Sequence, residues 1–152
     1  MTNDEIISTL DDLIETSKDG EYGFNTCAED VKDMQLKKVF TAAAQRCAEG
    51  ANELQEQVRR LGGDPDKHSS VTGTLHRAWV DIKAAIMGKD ELAVLEECER
   101  GEDVAKKTYE KALVKGLPED IRSIVQRQYQ GVVENHDRVR DLRNRYRKAN
   151  PL

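Results

Sequence analysis

The sequence predicts an all-α fold, four long helices packed as a bundle, with a shorter fifth helix in the connection between the second and third. Three observations predict it. Charged residues make up 35% of the 152-residue chain and aromatics only 5%, with three prolines, one of them Pro151 in the tail. That composition suits helices and not a sandwich or barrel. Apolar residues recur at alternating steps of four and three, the spacing of a buried helical seam. The breaks in that pattern fall on glycine and proline, at Gly62-Gly63-Asp64-Pro65, at Gly88 and at Gly116 with Pro118, which are stop signals for a helix.

The first seam runs Ile6, Leu10, Leu13, Ser17, Gly20, Phe24, Cys27, Val31. It reads as one helix over residues 3–32 despite Gly20 and Gly23, capped by Thr2 or Asn3, with Asp4 and Glu5 at the positive end of its dipole. The second runs Leu36, Phe40, Ala43, Cys47, Gly50, Leu54, Val58, Leu61. Both seams are small in the middle. The short link between them predicts an antiparallel pair. Residues 64–70 read as a loop. A shorter helix follows over about 70–87, with Val71, Leu75, Trp79, Ile82 and Ile86 on one side. Asp90 caps the next helix, which runs to about Lys115 with Leu92, Leu95, Tyr109 and Leu113 as its apolar face. The last, about 119–148, carries Ile121, Val125, Gln128, Val132, Asn135, Val139, Leu142 and Tyr146. No strand alternation or second domain is evident, so residues 1–152 read as a single domain.

Several function classes fall away at this level. A net charge of −5 gives no general pull toward nucleic acid or an anionic membrane. No apolar run approaches the roughly 20 residues that span a bilayer, and the N-terminus lacks the pattern of a signal peptide. Cys27, Cys47 and Cys98 are odd in number and widely spaced. They read as reduced thiols in a cytoplasmic protein, not as a disulfide framework or zinc site. The LGGD of 61–64 follows a helix, so it is a cap and not a phosphate cradle. His76, Arg77, Trp79 and Asp81 read as a Trp anchor with polar neighbours. The arginines at 138, 140, 143, 145 and 147 suit a helix C-terminus. They mirror a first helix with ten acids against two lysines through residue 33, and a charge-matched contact between chains is one expectation from that asymmetry.

Four motifs then stand out: L-x-x-L-I-E-x-x-x-D-G-E-x-G-F (10–24), R-C-A-E-G-A-N-E-L-Q with L-G-G-D-P (46–65), G-T-L-H-R-A-W (73–79) and E-C-E-R-G-E-D-V-A-K-K-T-Y-E-K-A-L (97–113). Together they resemble an uncharacterised bacterial family, mostly proteobacterial, of the ferritin-like superfamily. The resemblance implies a ferritin-like four-helix bundle, with the long crossover carrying the extra short helix. It implies no reaction.

Ferritin-like metal proteins place a Glu from each of two helices and a Glu-x-x-His pair from each of the others into the bundle centre. Here the mid-seam position of the first helix is Ser17, and those of the second are Cys47 and Gly50. The third offers Glu99 and Glu102, of which Glu102 matches the ligand position best. The fourth offers Val132 and Asn135; Glu134 and Asp137 have the spacing but point off the seam, with His136 on its flank. A dinuclear site is thus expected to be degenerate and the chain to hold no cofactor. The alternative is an iron or manganese protein using Glu99 and Glu102. Lys106 follows Glu102 by four residues, the favourable orientation for an ion pair. A buried polar layer of Ser17, Glu99, Glu102, Lys106, Gln128 and Asn135 is therefore expected, the plainer reading being that these reach solvent at the seam margin. The function expected is a non-catalytic bundle acting through protein contacts, with an unknown protein partner, as a homodimer helped by Ile7, Ile14 and Val39.

Overall fold

The computed structural model describes residues 1–66 and 90–149; the short helix expected over about 70–87, with its His76 and Trp79, lies outside them. The described residues form four helices and no strand: α1 (Asn3–Asp30), α2 (Met34–Arg60), α3 (Glu91–Leu113) and α4 (Glu119–Ala149). The starts of α1, α2 and α3 are each set by a side chain that satisfies orphan amide groups. Thr2 accepts from the Glu5 amide at 3.2 Å, Asp33 from those of Gln35 and Leu36, and Asp90 from that of Ala93. The stop of α2 is a Schellman turn. Gly62 takes φ +84°, its amide reaches Arg59 O, and the Gly63 amide reaches Val58 O, both at 3.0 Å.

Three residues link α1 to α2 and five link α3 to α4, so each pair folds back as an antiparallel hairpin. The two hairpins are joined in a defined sense. Glu91, at the start of α3, accepts from the amide groups of Lys32 and Asp33 at 3.3 and 3.4 Å, beside the start of α2. Tyr146, near the end of α4, donates to both Asp33 and Glu91. Helices α2 and α3 therefore begin at the same end of the bundle and run parallel, and α1 and α4 likewise. Leu61, just after α2, and Asp90, just before α3, therefore lie at opposite ends of the bundle.

Every position of the first seam is buried, from Ile6 to Val31. The core falls into two apolar blocks. One, around Phe24, Phe40, Leu95 and Leu142, includes a stacked Phe24–Phe40 pair with ring centroids 6.1 Å apart. The other gathers Leu10, Leu13, Leu54, Val125 and Ile121. Between them sits the polar, small-residue middle of the bundle. Two expectations change. On α3 the inward row is Leu95, Cys98, Glu102, Tyr109 and Ala112, while Leu92 and Leu113 are only half-buried. Ile14 is fully buried in the chain's own core, so it is not available to a dimer contact.

Candidate functional site

The middle of the bundle holds three glycines, and each makes room for a longer side chain from a neighbour. A Cβ on Gly20 would lie 2.9 Å from Cys47 Sγ. One on Gly131 would lie 3.2 Å from Arg46 Cδ, and one on Gly50 would meet the Gln128 amide at 3.6 Å. Small seam residues thus do not leave the centre empty. They admit Cys47, Arg46 and Gln128 between the helices.

What these side chains enclose is a cavity of about 440 Å³. Its floor is Glu102, 3% exposed. Its mouth lies between α2 and α4, among Arg46, Glu49, Glu53 and Arg127. Arg46 reaches over Gly131 and sets Nη2 3.5 Å from Glu102 Oε1 and 3.9 Å from Cys47 Sγ. The other carboxylate oxygen, Glu102 Oε2, and Asn135 Nδ2 are both sealed from solvent, and the Asn135 side chain serves as a hydrogen-bond partner of Glu102. Asn135 stands near enough to ease the charge on Glu102, as do Arg46 and His136, but burial dominates and holds that carboxyl above the usual carboxylate range.

A second set of groups crosses the same space and satisfies itself. Ser17 Oγ lies 3.4 Å from Tyr109 Oη, and the Tyr109 hydroxyl donates to Gln128 Oε1 at 2.8 Å. Gln128 Nε2 donates to Glu53 Oε1 at 2.8 Å and to Gly50 O at 3.3 Å, and Arg127 closes on Glu53. Burial pushes the Tyr109 phenol up to about 12, and the Cys47 thiol likewise to about 12. Neither group is poised to give up a proton near neutrality.

The structure brings Ser17, Glu102 and Gln128 to this cavity, with Asn135 beside Glu102. It does not bring Lys106 onto Glu102; the cation there is Arg46, from α2. Lys106 is half-buried and acts on Asp137 instead. Glu99 also leaves the centre. It faces the α3–α4 surface, where it pairs with Arg143. Arg46 is the residue that sequence reasoning missed, because it stands one position before Cys47, off the seam, where a charged side chain reads as solvated. Its long stem and the gap at Gly131 were the available signals.

Glu99 belongs to a different cluster. Glu99, Asp103 and His136 each offer one ligand atom, all within 4.8 Å of one another, the one such group of three among the described residues. His136, expected on a flank, is 8% exposed. Its Nε2 lies 2.7 Å from Asp103 Oδ1 and its Nδ1 3.1 Å from Asp137 Oδ1. The carboxylates lining the central cavity form no such group.

The thiols are structural. Cys27 and Cys98 meet in the core with sulfurs 3.7 Å apart, both fully buried. Burial first, then contact with Cys27, raises the Cys98 thiol well above its ordinary value; the neighbouring carboxylates contribute less. The basic end of α4 is largely spent within the chain. Arg143 pairs with Glu99, Arg147 with Glu96, and Arg140 with Asp137 and Asp141.

Among the described residues, fold and centre together define an all-α, four-helix bundle with a charged cavity at its middle and no helix long and apolar enough to cross a membrane. Residues 5–115 match the family described as "Domain of unknown function (DUF2383)", and the chain belongs to that family. The match spans α1 to α3 and ends before α4. No curated protein matches the chain.

Proposed function

We propose that the protein is a non-catalytic, ferritin-like bundle that has lost its dinuclear metal centre and works through protein contacts, as a cytoplasmic homodimer. One observation carries this reading: the carboxylate buried at the centre, Glu102, faces the guanidinium of Arg46. An arginine placed there supplies the positive charge that a metal would otherwise bring. The other inward positions, Ser17, Cys47, Gly50, Val132 and Asn135, give too few oxygen and imidazole ligands for two ions, so the residues present do not fit that group. The parallel pairing of α2 with α3, joined from one end of the bundle to the other, supports the ferritin-like assignment, since ferritin-like bundles have one such connection. Tyr22 and Met34, each 64% exposed, offer apolar area on the first hairpin for a contact between copies.

Light scattering over a concentration series tests the contact, together with the rate of ferrous iron oxidation in air. A dimer mass and a rate equal to protein-free buffer are expected. A strict monomer at high micromolar concentration contradicts the contact, and protein-dependent oxidation contradicts the loss of the centre.

The runner-up reading is an iron- or manganese-handling protein with a displaced site. The cluster of Glu99, Asp103 and His136 favours it, because Asp137 holds Nδ1 and leaves Nε2 facing the two carboxylates, as an outer carboxylate does for a metal-binding histidine. One metal per chain, lost in His136→Ala and kept in Glu102→Gln, is the result that reading requires.

A further inference from the structure

Beyond the protein contacts proposed above, we infer that Glu99, Asp103 and His136 hold one zinc ion that clasps α3 to α4 at the bundle surface. The inference rests on the cluster of the runner-up reading but gives it a different ion and a structural task. It starts from the seam of the α3–α4 hairpin, which is a ladder of polar pairs. Glu96 meets Arg147, Glu99 meets Arg143, Asp103 meets His136, and Glu110 accepts from the Tyr129 hydroxyl. The arginine rungs cannot take a metal, because a guanidinium keeps its protons. The Asp103–His136 rung can, because a neutral imidazole nitrogen is a metal ligand.

The surroundings of that rung are those of a built site. Glu99 and Asp103 stand four residues apart on α3, so they share one helix face. His136 reaches them from α4, and the three ligand atoms lie within 4.8 Å of one another. The ring is held: it is 8% exposed, Nδ1 lies 3.1 Å from Asp137 Oδ1, and Nε2 faces Asp103 at 2.7 Å. A carboxylate on the far ring nitrogen fixes the imidazole and makes it a stronger ligand. Arg143 engages Glu99 through Oε2, and a carboxylate has a second oxygen for an ion. The Asp103 side chain is 49% exposed, so water reaches the site. Two carboxylates, one imidazole and a water make the shell that zinc takes with three protein ligands, at about 2.0–2.2 Å. Atoms of a tetrahedral shell of that size stand about 3.3 Å apart, so loading asks Asp103 to draw back by roughly half an ångström. The ion replaces the Nε2–Asp103 hydrogen bond. Nδ1 keeps its proton on Asp137, and any proton on Nε2 goes to solvent. Manganese and ferrous iron bind nitrogen and oxygen ligands more weakly than zinc does. Because the ligands come from both helices, the ion favours the closed hairpin over an opened one.

The full chain, stripped with chelator and then freed of it, is titrated by calorimetry with zinc, manganese and, anaerobically, ferrous ions. One zinc per chain is expected, bound about tenfold or more tighter than either of the others. Zinc at about hundredfold excess over Kd should raise Tm by about 3 °C or more. Asp103→Asn, at an exposed position, should weaken zinc about tenfold or more with the circular dichroism spectrum kept, and His136→Gln should do the same. Asp137→Asn, which touches only the ring, should weaken it about tenfold. Glu110→Gln, on another rung, should leave binding as it is. The inference is overturned if no zinc binds, if folded Asp103→Asn binds zinc like the parent chain, or if bound zinc leaves Tm where it was. Manganese or ferrous iron bound more tightly than zinc, with the same dependence on Asp103 and His136, overturns the zinc clasp and leaves the runner-up reading standing. No metal of any of the three kinds at these residues removes both.

Discussion

Arg46 on α2 and Glu102 on α3 meet across the bundle at 3.5 Å, the one cation–carboxylate contact in which the carboxylate is sealed from solvent among the described residues. The two partners are unequal. Glu102 is 3% exposed and Arg46 30%, so Glu102 suffers more when the pair is broken. Arg46→Met is expected to cost about 1–3 kcal/mol at neutral pH, because it leaves the buried Glu102 carboxyl without that hydrogen-bond partner. The double variant Arg46→Met, Glu102→Leu should recover most of that loss, since two apolar side chains replace a desolvated pair. Urea denaturation of the singles and the double gives the answer directly.

The pH dependence of stability carries a second signature. Unfolded glutamate titrates near ~4.3, and burial holds folded Glu102 higher. Between those two values the folded state binds the extra proton, so stability falls as pH rises through the window and levels off above the folded value. Glu102→Gln should remove that slope. Asp33 works in the opposite sense. Its bonds from Tyr146, Leu36 and Gln35 lower its carboxyl. The stability it gives is present above the unfolded value near ~3.9 and is lost as pH falls through the folded one. Asp33→Asn should flatten the acid limb and leave the Glu102 slope in place. Denaturation midpoints from pH 3 to 8 separate the two.

Gly20 and Cys47 form a second pair that a single methyl group tests. A Cβ on Gly20 would stand 2.9 Å from Cys47 Sγ, so Gly20→Ala should destabilise by about 1–3 kcal/mol through overpacking. Cys47→Ala in the same chain should relieve most of this. A thermal-melt double-mutant cycle checks it, with a coupling above ~0.5 kcal/mol expected for residues in contact.

Much of the fold was legible in the sequence because a long helix repeats its message. The seam of α1 could be followed through Ser17 and Gly20 without losing phase, and all its positions are buried. On α3 the message is fainter, since Cys98 and Glu102 hold seam positions that Leu92 seemed better suited to fill. The residues chosen for the centre were chosen by seam position, and that criterion found Ser17, Glu102, Gln128 and Asn135. It could not find Arg46, whose Cα lies off the seam and whose guanidinium arrives only by passing over Gly131. Nor could it find His136, buried between Asp103 and Asp137 by the approach of α3 to α4. Both depend on how helices face one another, which periodicity within one helix does not encode.

The thiols make a fourth prediction. Cys27 and Cys98 are fully buried, and burial raises the thiols of Cys98 and Cys47. A thiolate is the reactive form, so a disulfide reagent at pH 8 should leave the native protein nearly untouched. In denaturant it should titrate all three cysteines quickly.

The most direct test of the central claim, that Arg46 stands in for metal charge at Glu102, is metal analysis of the chain purified without chelator, then loaded anaerobically with ferrous iron and passed through a desalting column. The account predicts no iron retained at the bundle centre, so that Glu102→Gln retains the same amount as the parent chain. About two metals per chain, lost in Glu102→Gln, would contradict it and return a di-iron centre to the middle of the bundle.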